Sequence, residues 1–233
     1  MAKSKIIKEL ANSTIDTMTA LKRAKVLFSE LKNEELLNWI NYELAGYPKD
    51  VELPNYRVKH GILKGTYIKG SMAQHMKWTD VSLPLGTMPE KYKKGILEME
   101  FRESISALKH LEEANENGFL VKPIPADFFP SIAKYNDDPY MCIVTARVVV
   151  GAQCVSDVFS VIENRLLDAL ILLENEFGNL DELDLDISEK SQDEIQKIIE
   201  NLYIVIYQDQ SITIGDNNKI KETQIASVMQ DKS

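Results

Sequence analysis

The sequence predicts an α+β fold: an N-terminal three-helix layer, a small, mostly antiparallel sheet, a long C-terminal core helix and a short β tail. Three observations carry this. Apolar residues recur at helical spacing over the first 45 positions and again over 157–177. Segments 56–83 and 139–150 are rich in β-branched and aromatic residues and are punctuated by glycine and proline. Strict alternation returns near the C-terminus, at Ile212-Thr213-Ile214.

The elements follow in order. Ile6, Ile7 and Leu10 begin a short first helix, and Leu21, Ala24, Phe28 and Leu31 define a second over 17–31. Asn33 can cap a third, with Glu34 and Glu35 in its first turn, where negative charge meets the positive end of the helix dipole. Leu36, Ile40 and Leu44, flanked by Leu37, Trp39 and Tyr42, give this helix its apolar face. Gly46 supplies a left-handed stop, Tyr47 packs back, and Pro48 bars continuation. Leu53-Pro54 then forces the chain into an extended path toward Tyr56.

From Tyr56 to Leu83, glycines 61, 65 and 70 divide two or three strands. A helix is expected over 95–117, presenting Ile105, Leu108 and Leu111, and a short one over 128–135 after Pro125. Segment 139–150 reads as the strongest strand and the central one. Over 157–177, Val158, Ile162, Leu166, Ala169, Leu170 and Leu173 make the broadest apolar stripe of the chain, stopped by Gly178, and this helix should be the spine. An acidic connector at 180–186 and a helix over 191–201 complete a domain placed at 1–201. Residues 202–233 read as a β-rich tail.

In that tail, Ile204, Ile206, Ile212 and Ile214 are the strand residues, and Asn217 and Asn218 belong to a turn. Two short strands bury too little surface to offset their ordering entropy, so they need a partner surface. Pairing with identical tails makes them an oligomerisation element; folding back on the domain is the alternative.

Composition bounds the rest. With 233 residues, 44% of them hydrophobic, the chain can bury a substantial core. No apolar run approaches the roughly 20 residues that span a bilayer, and MAKSKIIKEL lacks the apolar core of a signal peptide, so a cytoplasmic protein without membrane partners is expected. Cys142 and Cys154 sit in apolar neighbourhoods and read as two small buried residues rather than a disulfide or a zinc site.

Several stretches together resemble the AbiTii domain family of bacterial abortive-infection proteins. They are KNEELLNWINYELAGYPKDVELPNYR at 32–57, GILKGTYIKG at 61–70, LPLGTMPEKY at 83–92, FRESISALKHLEE at 101–113, TARVVV at 145–150 and VFSVIENRLLDALILLENEFG at 158–178. The Gly65-Thr66 pair, the Ala146-Arg147 pair and the Arg165-Leu166-Leu167 core fall in the family's order, over roughly residues 4–178. The chain departs from the pattern where the family often carries Val-Arg before Leu-Leu and this sequence has Ile162-Glu163-Asn164-Arg165. The resemblance implies a non-catalytic, self-assembling component of antiphage defence, either a sensor of a phage-derived trigger or a scaffold for an effector. It also implies a glycine- and asparagine-rich β tail.

Charge is unevenly distributed. The chain carries a net −9. From Arg57 to Lys94, however, eight cations face only Asp80 and Glu90, a local +6, while 174–200 holds ten carboxylates against Lys190 and Lys197, a local −8. Arg57, Lys59, Lys64, Lys69 and Lys77, with Tyr67 and Trp78 among them, form a candidate anion or nucleic-acid surface, since clustered cations replace phosphate counterions and aromatic faces stack bases. The same charges can instead meet the acidic segment of this or a neighbouring chain, and the acidic net charge favours that reading over nucleic acid.

No catalytic or metal-binding residues, and no cofactor, are assigned. His60, His75 and His110 are isolated, and phosphate-loop and dinucleotide fingerprints are absent from the sequence. Glu98, Glu100 and Glu103, with Asp80 and Lys77, leave a metal-dependent nuclease-type toxin as an alternative, because Mg²⁺ takes one or two carboxylates plus substrate phosphates. Arg147 and Arg165 sit in apolar elements and call for carboxylate partners, with Glu163 and Asp168 nearest in sequence.

Overall fold

Burial of the helical stripes organises the computed structural model, which describes residues 3–71, 73–114, 118–138 and 140–207. Helices α1 (Lys5–Ala11), α2 (Thr17–Glu30) and α3 (Glu34–Ala45) form the expected N-terminal layer. Asp16 caps α2 by accepting from the Thr19 N–H, and Asn33 caps α3 by accepting from the Leu36 N–H. Strand β1 (Val58–His60) pairs antiparallel with β4 (Glu98–Glu100) in a two-stranded sheet. A second sheet, also antiparallel, is ordered β3-β2-β6-β5, from β2 (Ile62–Gly70), β3 (His75–Ser82), β5 (Phe119–Pro123) and β6 (Cys142–Gly151). The remaining helices are α4 (Glu90–Leu97), α5 (Ile105–Glu113), α6 (Phe129–Tyr135), α7 (Gln153–Phe177) and α8 (Gln192–Tyr207).

Two cores result. The larger gathers α1, α2, α3, α5 and α8 around α7, whose Val158, Ile162, Leu166, Leu170 and Leu173 are fully buried. At about 1.5–3 kcal/mol for each buried aliphatic side chain, this stripe makes α7 the spine that its periodicity predicts. The smaller core lies on one face of the four-stranded sheet. There Leu63, Tyr67, Ile143, Ala146 and Val148 pack on Met88, Ile132 and Met141. The central position expected for 139–150 holds, because β6 lies between β2 and β5.

Four expectations change. The helix expected over 95–117 is two elements, α4 and α5, separated by β4, because Met99 and Phe101 alternate inward at period two and the chain turns helical only after the Ser104 cap. Strand β5 is found where no strand was expected. Cys142 is exposed and only Cys154 is buried. Helix α8 runs past the boundary expected at Asn201, so Ile204 and Ile206 are helical rather than strand residues: Ile206 is sealed against α7 and Ile204 is exposed. Ile206 equally continues an i, i+4 stripe with Leu202 and Ile198, which leaves Ile204 outward, and the packing surface of α7 decides between the two patterns. Ile212, Ile214, Asn217 and Asn218 lie outside the described residues. Among the described residues, no helix is long and apolar enough to cross a membrane.

The chain is pinned at its start by Ser4, which is fully buried. Its N–H and Oγ both donate to Glu174 Oε1 at 2.5 Å, Lys3 Nζ lies 2.6 Å from Oε2, and the Leu180 N–H donates to Ser4 Oγ at 2.9 Å. Burial pushes the Glu174 carboxyl up, but the hydrogen bonds from Lys3 and Ser4 outweigh it and bring the group from 4.5 down to about 2. A depressed carboxylate stabilises the fold above its unfolded value and loses that contribution as pH falls through the folded one. Urea midpoints of the wild type should therefore fall between pH 4.5 and 2. Glu174→Gln should flatten that limb and converge with the wild type at its acid end.

Candidate functional site

Helix α3 carries a carboxylate on its buried side. Glu43 follows Trp39 and Ile40 by one turn, and its side chain is fully enclosed, as is that of Arg57 just ahead of β1. Glu43 accepts from Tyr47 Oη at 2.6 Å and Tyr56 Oη at 2.5 Å on one oxygen, and from Arg57 Nη2 on the other. Arg57 Nη1 donates to the carbonyls of Phe101 at 2.9 Å and Glu103 at 2.6 Å. Trp39 Nε1 donates to Tyr56 Oη at 3.1 Å. Arg57 Nε is buried without a hydrogen-bond partner among the described residues, while the guanidinium lies 4.9 Å from the Tyr47 ring centroid. Burial, and then the neighbouring Glu43 charge, raise the Tyr47 and Tyr56 phenols far above their ordinary value, so both remain donors.

The backbone around this pair is equally constrained. Gly46 has φ +97°, and a Cβ there would stand 2.9 Å from the Arg102 carbonyl oxygen. The same carbonyl accepts from the Tyr47 N–H at 2.7 Å, and Arg102 Nη1 returns to the carbonyls of Pro48 at 2.7 Å and Val51 at 2.9 Å. The Gly-Tyr-Pro corner and the segment before α5 thus clasp each other over the ion pair. From α7, Arg165 places its guanidinium 4.7 Å from the Tyr56 ring centroid and donates to the Ile206 carbonyl near the end of α8.

Among the described residues, the other face of the four-stranded sheet is open. Ile62, Val149 and Val121 form one cross-strand row on it, with Lys64, Arg147 and Pro123 in the next row but one along the strands. Ile62 of β2 and Val121 and Phe119 of β5 are 59%, 52% and 59% exposed, and with Val149 of β6 between them they make an apolar strip across three neighbouring strands. A cleft of about 420 Å³ adjoins the strip at Ile62, lined also by His60, Ser82 and Lys93. Beyond Lys64, both neighbours of β2 shift register at Thr66. There, hydroxyls stand in for carbonyls: the Asp80 N–H donates to Thr66 Oγ1 at 3.3 Å, and the Thr66 N–H donates to Thr145 Oγ1 at 3.2 Å. The β3 bulge holds Asp80 at φ +52° and turns its carboxylate across β2 to Arg147, 2.6 Å away. Gly65 permits the close approach, since a Cβ there would meet the Thr145 carbonyl oxygen at 2.2 Å.

The cations expected to form one surface are dispersed. Arg57 is a correction: it is sealed in the helical core with Glu43, away from the surface. Lys59 lies on β1, 3.8 Å from Asp157. Lys69 points to the covered face, 3.2 Å from Asp138 and 6.0 Å from the Tyr67 ring centroid. Lys64 and Lys77 share the open face, where their cross-strand partners include Arg147 and Ile68. Tyr67 and Trp78 stack on each other at 5.2 Å on the covered side, so neither offers its ring to a base from the open face. Arg147 takes Asp80 rather than Glu163 or Asp168, and Glu163 accepts from Thr17 instead. Glu100 pairs with Arg102 at 2.8 Å, and among the described residues no three His, Cys, Asp or Glu side chains gather as metal ligands.

Sequence reasoning missed Glu43, Thr66 and Thr145 as constellation members. Glu43 had a signal, a carboxylate one turn after Trp39 and Ile40 on an apolar stripe. The two threonines had none beyond their place beside Gly65 and Ala146.

The molecule is thus an α+β domain in which an ion pair is sealed beneath a Gly-Tyr-Pro corner and one face of an antiparallel sheet is left uncovered by the described residues. It belongs to the AbiTii family, whose sequence model matches residues 4–199. Comparisons with curated proteins and with solved structures give no match. Membership points to a role in abortive-infection defence against phage.

Removing one member of a buried ion pair strands the other without compensation and costs about 3–5 kcal/mol. Glu43→Ala or Arg57→Ala should lose that much stability in urea unfolding. A Glu43→Gln/Arg57→Met double variant should lose less than the sum of its single changes.

Proposed function

We propose that the protein is a non-catalytic component of an abortive-infection system, acting as a self-assembling sensor or scaffold that engages a phage-derived trigger or an effector protein through the open face of its four-stranded sheet. The observation that carries this reading is the apolar strip of Ile62, Val121 and Phe119 beside Lys64, which has no ion pair among the described residues. Contiguous exposed apolar residues rimmed by polar ones are the surface signature of protein recognition, and a sheet built to stand alone keeps such rows on its covered face. Two distant parts of the chain, Gly65-Thr66 and Thr145-Ala146-Arg147, shape this face, and both belong to the stretches that mark the family. Assembly belongs to the same reading: the Ile212-Thr213-Ile214 alternation and the Gly-Asp-Asn-Asn run support pairing of copies through residues 208–233.

Val121 is half exposed, so Val121→Asp should leave stability within about 0.5 kcal/mol. Bacteria carrying the defence locus with this variant should show the plaque counts of cells that lack the gene, while the purified variant melts like the wild type. Full protection would remove the sheet face from the mechanism. Deleting 208–233 should lower the mass found by light scattering, and an unchanged mass would remove the tail from assembly.

A further inference from the structure

The two charged regions of this chain do not neutralise each other within one copy. Among the described residues, the paired cations of 57–94 find their carboxylates elsewhere: Arg57 at Glu43, Lys59 at Asp157, Lys69 at Asp138, Lys93 at Glu90 and Lys94 at Glu98. Lys64 and Lys77, both on the open face, have no ion pair among those residues. The acidic region is equally self-contained. Glu174 is held by Lys3 and Ser4, Glu176 by Lys190, Asp181 by the Lys5 N–H, and Asp186 and Glu194 by serines of their own turns. Glu182, Asp184, Glu189 and Asp193 are exposed and have no cation within salt-bridge distance among the described residues. These carboxylates flank Leu180 and Leu185, which close the helical core, whereas Lys64 and Lys77 belong to the sheet that covers the other core.

We infer that the cationic end of the open sheet face, beside the apolar strip, takes a second copy of this chain, which presents the acidic turn between α7 and α8 to Lys64, Lys77 and Arg147. This rests on the reading of the open face as a recognition surface and names its occupant. Charge complementarity selects this occupant. A folded chain that keeps an unpaired cationic face and an unpaired acidic turn lowers its electrostatic energy by pairing them between copies, and the summed fields steer the encounter. The contact joins two different patches, so each copy both offers a face and fills one, and association can propagate or close into a ring. Exposed ion pairs are individually weak, so the association depends on salt. Lys64 and Arg147 are like charges directly opposite on adjacent strands, and since Asp80 pairs with Arg147, Lys64 gains most from an added carboxylate.

Charge reversal on the full chain tests this. Light scattering should show a mass that falls as ionic strength rises from about 0.01 M, where the Debye length is about 30 Å, to about 1 M, where it is about 3 Å. Lys64→Glu/Lys77→Glu and Glu182→Lys/Asp184→Lys should each abolish the salt-sensitive part of the mass, because each then sets like charges against each other. An equimolar mixture of the two variants should regain it, since the acidic face of one now meets the basic turn of the other. A salt-independent mass, or a mixture no heavier than its components, overturns the inference, and so does association that disappears on nuclease treatment, which would assign the face to nucleic acid. These results are separate from phage protection: protection lost in Val121→Asp with no salt-sensitive association would sink this contact and leave the face as the recognition surface.

Discussion

The Glu43–Arg57 ion pair is the constraint around which the rest of the structure is arranged. Two fully enclosed charges survive only if nearly every donor and acceptor they carry is used, because an uncompensated buried charge costs several kcal/mol. The solution here draws on four parts of the chain. Helix α3 brings the carboxylate, the Gly-Tyr-Pro corner brings one phenol, the turn before β1 brings another with the guanidinium, and the segment before α5 brings two carbonyls. Each of these pieces is therefore located by an interaction it cannot drop. Such a network stabilises less than an apolar core of equal volume would, and it confers specificity instead, since few arrangements of those four segments satisfy it.

That arrangement also sets the position of everything downstream. Phe101 and Glu103, whose carbonyls hold Arg57, follow β4 directly, so the pairing of β4 with β1 is anchored at the ion pair. Arg165 extends the same logic to the helical side by stacking on Tyr56 and donating to the Ile206 carbonyl near the end of α8, which ties the last described helix to the first corner of the chain. The sheet is organised around a second, gentler irregularity. The two bulges at Thr66 twist the flanking strands and turn Asp80 and Arg147 toward each other, so this pair of the open face is held in a fixed position.

Much of the fold was legible because local signals agreed with one another. The Asn33 cap, the Gly46 stop and Pro48 all mark the ends of one helix, and they fall where α3 begins and ends. The stripe from Val158 to Leu173 is long enough for periodicity alone to identify the spine. Two of the failures share a cause. Segment 98–101 and residues 202–206 each have apolar spacing that suits either a strand or a helix over so few residues, and the partner available in space makes the choice. Met99 went to a strand because β1 was free to pair, and Ile206 went to a helix because α7 offered a groove.

For the candidate site the division is sharper. The sequence by itself determined the residue inventory: a local excess of cations over 57–94, an acidic run over 174–200, the glycines at 46 and 65, and membership in a family associated with phage defence. Which of those charges meets water was decided only by the tertiary structure. Arg57 and Lys64 lie seven positions apart and look alike in a charge count, yet one is sealed against Glu43 and the other stands on the open face. Desolvation separates them, because a charge can be buried only where other segments deliver a counter-charge and hydrogen-bond partners to it, and sequence proximity does not say where those segments will be.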